Sequence, residues 1–225
     1  VLVEGFIKGT EIGVDGFVQD GRLVFLAPHT KFVYRGKNTT IPVGHAFPYT
    51  CSREVYDEIG KQMQAAVTAS GADRCSINAD VFVDGNKVSI IEMGGRTGAT
   101  CIPELISIYY GFDFYEKMLR SALGETVEFN CTGKQPCMAK LLLSPAEGKI
   151  SHIDIEGIRR LEEKGVVVSL DFPVGHKVFA MADGTDRIGH VIARTEEESQ
   201  LDAWMMEAYR CIFIDGVSLE DIWKR

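Results

Sequence analysis

The sequence predicts an α+β fold: an antiparallel sheet with packed helices over residues 1–135, then a small β-rich lobe over residues 136–225 with a closing helix. Three observations carry this expectation. Asp20-Gly21 and Asp84-Gly85 each lie between strand-like runs, a strong short-range hairpin signal. Val55, Ile59, Met63 and Val67 recur at four-residue steps, the spacing of one apolar helix face. From about Pro136 onward, short strand-like runs alternate with turns.

Taken in order, Val1–Ile7, Glu11–Val18 and Arg22–Ala27 read as strands, the last two joined at Asp20-Gly21. Ser52 can cap the amphipathic helix, which ends before Gly71. Arg74–Val83 and Val88–Met93 form a second hairpin around Asp84-Gly85. Pro103 suits the first turn of a helix, and Asp113 with Glu116 forms a capping-box-like start for another that runs to Gly124. Met138–Leu143, Lys149–Ile155, Val166–Leu170 and Arg187–Ala193 read as the strands of the β-rich lobe. Thr195 with Glu198 suggests a further capping box, ahead of one apolar face made by Leu201, Trp204, Met205 and Ala208.

Composition narrows the function classes. With 45% apolar and 25% charged residues, the 225-residue chain is ordinary for a globular protein and long enough to bury a core. Its 24 basic and 32 acidic residues leave a net charge of −8, which argues against nucleic acid or an anionic membrane as partner. A local basic pocket is still compatible with that balance. No apolar run approaches the ~20 residues needed to span a bilayer, and the opening does not read as a signal peptide. The six scattered cysteines read as reduced core thiols of a cytoplasmic protein. Val1-Leu2-Val3-Glu4 has no initiator Met and reads as an interior strand, so the chain is expected to be part of a longer protein.

The richest stretch runs from Asn78 to Ala99. Strand alternation puts Asn78, Asp80 and Phe82 on one face, and Val88, Ile90 and Glu92 on one face of the return strand. A three-residue turn, Gly85 to Lys87, sets Asp80 directly opposite Glu92; a two-residue turn staggers them. Facing carboxylates repel, and a hard divalent cation relieves the repulsion. The plainer alternative is that one of the two acids simply faces solvent. Gly94-Gly95 lets backbone N–H groups approach an anion, and the Arg96 guanidinium can bind phosphate or carboxylate with two bonds.

A strand, turn and strand ending in Ile91-Glu92-Met93-Gly94-Gly95-Arg96 resembles the metal-binding hairpin of the ATP-grasp superfamily. The resemblance implies that Asp80 and Glu92 are metal ligands and that Arg96 contacts phosphate or the acyl substrate. The family typically has Asn where this chain has Gly94, so Asn78 or a water would have to replace that amide. The opening, from Val1 to Glu11, resembles the family's adenine hinge. By that likeness Glu4 and the Phe6–Ile7 backbone meet the adenine edge, and Glu11 holds the ribose hydroxyls. His29-Thr30-Lys31 and the Gly44-His45 pair before Pro48 are similar to a segment of the carboxylate–amine ligases, including L-amino-acid ligases. This implies Lys31 near the transferring phosphoryl group, with His29 and His45 as phosphate or substrate contacts. Read alone, each His is equally at home as a structural residue, and Glu104 as a partner of a helix dipole. The superfamily also includes biotin carboxylase and the large subunit of carbamoyl-phosphate synthase.

What the resemblance implies is an enzyme, a ligase that uses ATP and Mg²⁺, or Mn²⁺ in its place. It would activate a carboxylate as an acyl phosphate and join it to an amine, releasing ADP. The family's N-terminal domain and lid would lie outside these residues, so this segment alone is expected to be inactive. Its partners would be small-molecule substrates, with no nucleic acid and no membrane, and a homodimer is compatible with the sequence. Two alternatives stand beside it: a carboxylase or carbamoyl-phosphate-type enzyme using bicarbonate, and a non-catalytic nucleotide-binding descendant, which Gly94 favours.

Overall fold

Strand β1 (Thr10–Gln19) turns through Asp20-Gly21 into β2 (Arg22–Arg35). Both turn residues have positive φ, 53° and 70°, as the tight hairpin turn that matches strand twist requires. The computed structural model describes every residue except Leu2, Glu4, Lys37, Asn38 and Arg225. It divides into two units, residues 1–31 with 47–134, and residues 32–46 with 135–225.

In the first unit, β1 lies between β2 and β4 (Cys75–Asp84), and β4 pairs with β5 (Lys87–Gly94), all antiparallel. One sheet face presents Ile12, Val14, Ile77, Ala79 and Val81. These pack with Val55, Ile59, Met63 and Val67 of helix α1 (Arg53–Ser70) in one buried cluster. Ser52 caps α1 by accepting from the Val55 N–H at 3.3 Å, and Gly71 ends it in the left-handed region at φ 69°. The other face is apolar only at one end. There Phe17 and Phe25 pack against Phe114 and Tyr110, which belong to helices α2 (Ile102–Tyr110) and α3 (Phe114–Ala122). Asp113 caps α3 by accepting from the Glu116 N–H at 3.0 Å.

In the second unit the strand order β3 (Thr40–Phe47), β6 (Cys137–Leu142), β10 (Gly189–Arg194) and β8 (Val166–Leu170) forms one sheet region. A four-stranded sheet runs β12 (Val217–Ser218), β11 (Ile212–Ile214), β7 (Gly148–Ile153) and β9 (Lys177–Val178). Helices α4 (Ile155–Glu162), α5 (Leu201–Arg210) and α6 (Leu219–Trp223) complete it around a core that includes Leu161, Leu201, Met205 and Ile212.

Several expectations need correction. Among the described residues of 1–8 there is no strand: these residues pair with no neighbour, and an unpaired extended segment has no ladder to hold it. A single boundary near residue 136 overlooks residues 32–46. The missing side chain at Gly44 lets β3 approach β6 so closely that a Cβ there would sit 2.4 Å from the Ala139 carbonyl oxygen. Thr195 does not cap α5. Its hydroxyl donates to Gln200 Oε1 at 3.1 Å and accepts from the Glu197 N–H, and a 3₁₀ turn at Glu198–Gln200 precedes the helix. None of the six cysteines forms a disulfide: Cys137 and Cys211 are buried and Cys51 and Cys75 pack against a core cluster, as expected of core thiols, whereas Cys131 is exposed. Among the described residues, no helix is long and apolar enough to cross a membrane.

Candidate functional site

Residues directly opposite one another in antiparallel strands share a face. Across β1 and β4 the pairs are Glu11–Phe82, Gly13–Asp80 and Asp15–Asn78; across β1 and β2, Gly13 faces His29. Across β4 and β5 the pairs are Asp80–Glu92 and Asn78–Gly94. One face therefore gathers Glu11, Asp15, His29, Asn78, Asp80 and Glu92. It is the face opposite α1, beyond the Phe17–Phe25 cluster.

The two acids come to oppose each other by a route different from the one the spacing suggested. Asp84 pairs with Lys87, so the turn is the two-residue Gly85-Asn86, which by itself would stagger them. The register then shifts between Asp80 and Val81, because Ile91 is an extra residue on β5. That bulge returns Glu92 to the face of Asp80.

Lys31 lies at the centre of this arrangement. Its Nζ is 2.7 Å from Asp80 Oδ1 and 2.8 Å from Glu11 Oε1, and its side chain is only 6% exposed. Burial alone would lower its pKa. The hydrogen bonds and charges of Asp80 and Glu11 outweigh burial and raise the pKa above its ordinary value, so the ammonium form is held firmly.

Asp15, which the sequence reading passed over, is completely buried. Its Oδ2 accepts from His29 Nε2 at 3.0 Å and Asn78 Nδ2 at 2.9 Å, and its Oδ1 from the Gly98 N–H at 2.8 Å. A signal existed in the sequence: a lone acid inside the apolar run Val14 to Val18, since an acid buried within a strand is normally paired. The same bond corrects the role expected for His29. Its side chain is fully buried against Asp15, so the ring cannot touch a phosphate arriving from solvent in this conformation. His45 is likewise buried, at 5% exposure.

Arg96 is exposed on the glycine loop, where its Nη1 donates to the Thr97 carbonyl oxygen at 2.9 Å and lies 3.5 Å from Asn78 Oδ1. α2 begins after this loop, with Thr100 and Cys101 both at positive φ and Pro103 in its first turn. Glu104 Oε1 accepts from the Tyr115 hydroxyl at 2.8 Å, and burial with that contact pushes the phenol pKa upward. Phe6, Ile7, Phe82, Ile90 and Ile91 line a largely apolar groove of about 570 Å³. Phe6 is 90% exposed within the chain. Glu4, expected at the same edge, lies outside the described residues.

The donors near Asp80 are hard oxygens, of the kind Mg²⁺ prefers, and one already holds a cationic ammonium at 2.7 Å. Among the described residues no group of three or more His, Cys, Asp or Glu side chains is arranged to enclose a metal.

An antiparallel sheet with α1 on one face and this acidic, glycine-bordered face on the other is the fold of ATP-grasp enzymes. Residues 1–104, a little under half of the chain, match the family described as the ATP-grasp domain. It is 25% identical, over 94% of its own length, to an uncharacterized protein of Sinorhizobium fredii, y4rH, of which it covers 43%. The structure of phosphoribosylglycinamide synthetase from Anaerococcus prevotii matches 93% of the chain with a TM-score of 0.83 at 24% identity. That of L-amino acid ligase from Bacillus licheniformis matches 93% with a TM-score of 0.78 at 18% identity. The chain covers 54% of each of these two proteins, so it spans about half the length of the relatives it matches.

Proposed function

We propose that the intact protein is an ADP-forming carboxylate–amine ligase. The observation that supports this most is the opposition of Asp80 and Glu92 beside Lys31, on a face bordered by the Gly94–Gly98 loop. Carboxylates directly opposite one another repel; Lys31 offsets this at Asp80, and a metal ion between the two acids would relieve it further. In this reading Asp80 and Glu92, with the Asn78 amide beside them, hold Mg²⁺ or Mn²⁺. When bound, the ion neutralises phosphate charge.

A substrate carboxylate oxygen attacks the γ-phosphorus of ATP, ADP leaves, and an acyl phosphate forms. An amine then attacks the acyl carbon and expels phosphate, leaving an amide. Lys31 supplies a fixed positive charge for the phosphoryl group and Arg96 one for the acyl phosphate, where charge develops during reaction. His29 supports these groups from beneath the sheet surface. The groove beside Phe6 and Ile7 would take adenine between apolar walls, and Glu11 the ribose hydroxyls. The substrates are small molecules, the setting cytoplasmic, and a homodimer is compatible with this assignment.

The decisive measurement is ADP release by the intact protein with Mg·ATP. Release that requires both a carboxylate such as an amino acid and an amine is expected. Release driven by bicarbonate alone would favour the carboxylase-type reading, and nucleotide binding without turnover would favour a non-catalytic descendant.

A further inference from the structure

Asp15 gathers donors from three separate elements: His29 on β2, Asn78 on β4 and the Gly98 N–H at the end of the glycine loop. A carboxylate without exposed surface is costly unless such donors satisfy it. Two glycines make the cluster sterically feasible. A Cβ on Gly13 would fall 2.0 Å from the His29 ring, and one on Gly98 would fall 2.9 Å from Asn78 Nδ2 and 3.0 Å from Asp15 Oδ2.

The consequence reaches the surface. Donating Nδ2 to Asp15 fixes which way the Asn78 amide points, and turns its Oδ1 toward Arg96. The loop that carries Arg96 is held at one end by the pairing of Gly94 with Asn78, and at the other by the bond from Gly98 to Asp15. Both ends of the loop thus lead back to a single carboxylate.

We propose that Asp15 is a positioning residue: it holds the Gly94–Gly98 loop and the Asn78 amide so that Arg96 is presented to the reacting acyl phosphate. This rests on the ligase reading for the reaction, but not for the geometry. Asp15→Asn replaces an acceptor with a donor and leaves at least one of the three N–H groups without a partner.

The test uses the intact protein and two readouts. Asp15→Asn is expected to lower kcat/KM by roughly 10- to 100-fold, the usual effect of removing a group that orients another. It should also speed hydrogen exchange at Gly95–Gly98. In an Arg96→Ala background the same substitution should cost less than about 3-fold, because residues acting as one unit are not additive. Gly98→Ala crowds Ile102, Asn78 and Asp15 and so displaces the loop while keeping the carboxylate in the sequence; it should reproduce both effects, and it carries the test if Asp15→Asn does not fold. Unchanged loop exchange in either folded variant, or effects of Asp15→Asn and Arg96→Ala that multiply independently, would overturn the role. Should the wild type turn over no substrate, the ligase reading fails by itself, and the exchange comparison alone decides the role of Asp15.

Discussion

Asp80 and Glu92 face each other because Ile91 is squeezed out of the ladder between β4 and β5. Val83 pairs with Val88, Phe82 with Ser89 and Val81 with Ile90; continued unbroken, that register would set Asp80 against Ile91. Glu92 would then lie on the face packed against α1, since a one-residue slip reverses every side chain. The bulge leaves Ile91 46% exposed and aims a carboxylate instead.

If these acids hold the metal, near-isosteric neutral replacements should remove function without removing the fold. Asp80→Asn and Glu92→Gln are each expected to reduce Mg·ATP turnover of the intact protein by about 100-fold or more, the scale of losing a preorganised charge at a reacting centre. Titration with Mn²⁺ in the presence of ADP should weaken in parallel. Turnover and metal affinity that both survive would move the active site elsewhere.

Lys31 makes a prediction with two opposite signs. Its ammonium occupies Asp80 Oδ1 and Glu11 Oε1, so it competes with a metal ion when no nucleotide is bound. Lys31→Met should therefore raise Mn²⁺ affinity in nucleotide-free protein while lowering turnover. Because the folded pKa is raised, the bonds of Lys31 stabilise the fold fully below the unfolded value of 10.5 and are lost as pH rises through the folded value. Thermal melts should show a loss of stability above about pH 10.5 that is weaker in Lys31→Met. A variant with lower metal affinity would contradict the competition.

Much of this was legible in the sequence, for identifiable reasons. The spacing of Val55, Ile59, Met63 and Val67 and the cap at Ser52 gave α1 because both signals are local. The turn at Asp84-Gly85 and the alternation of Asn78, Asp80 and Phe82 gave the hairpin and one acidic face. Ile91 was not legible, since a bulge follows from how two strands pack and not from the residue type. Nor was the fate of His29. Only the fold reveals that Gly13 stands opposite it and leaves room for its ring to reach Asp15. Among the described residues of the opening no strand forms, because apolar alternation describes a strand's faces but cannot supply a partner to pair with.

Gly94 stands where the superfamily resemblance calls for an amide, and there is room for one. A Cβ at this position would lie 3.5 Å from Arg96 Cγ, an ordinary contact. Gly94→Asn should fold with stability within about 1 kcal/mol of wild type. It is expected to increase the number of Mn²⁺ ions bound per ADP, counted by electron paramagnetic resonance. An unchanged count would mean that Asn78, directly across the strand, already supplies the ligand.

Glu220 makes an independent prediction in the second unit. Arg210 binds its carboxylate with two bonds, and Lys224 Nζ adds a third at 2.8 Å. These hydrogen bonds, Arg210 first, lower its pKa from 4.5 to about 2. Between those values the unfolded chain binds more protons than the folded one, so stability must rise with pH there. The contribution of Glu220 is complete above about pH 4.5 and disappears as pH falls toward 2. Melting temperatures of wild type and Glu220→Gln should therefore differ most above pH 4.5 and converge on acidification. Other carboxylates titrate in the same range, but they do so in both proteins, so the difference between the two curves isolates Glu220. A gap that stays constant down to pH 2.5 would mean that Arg210 and Lys224 do not hold this carboxylate ionised.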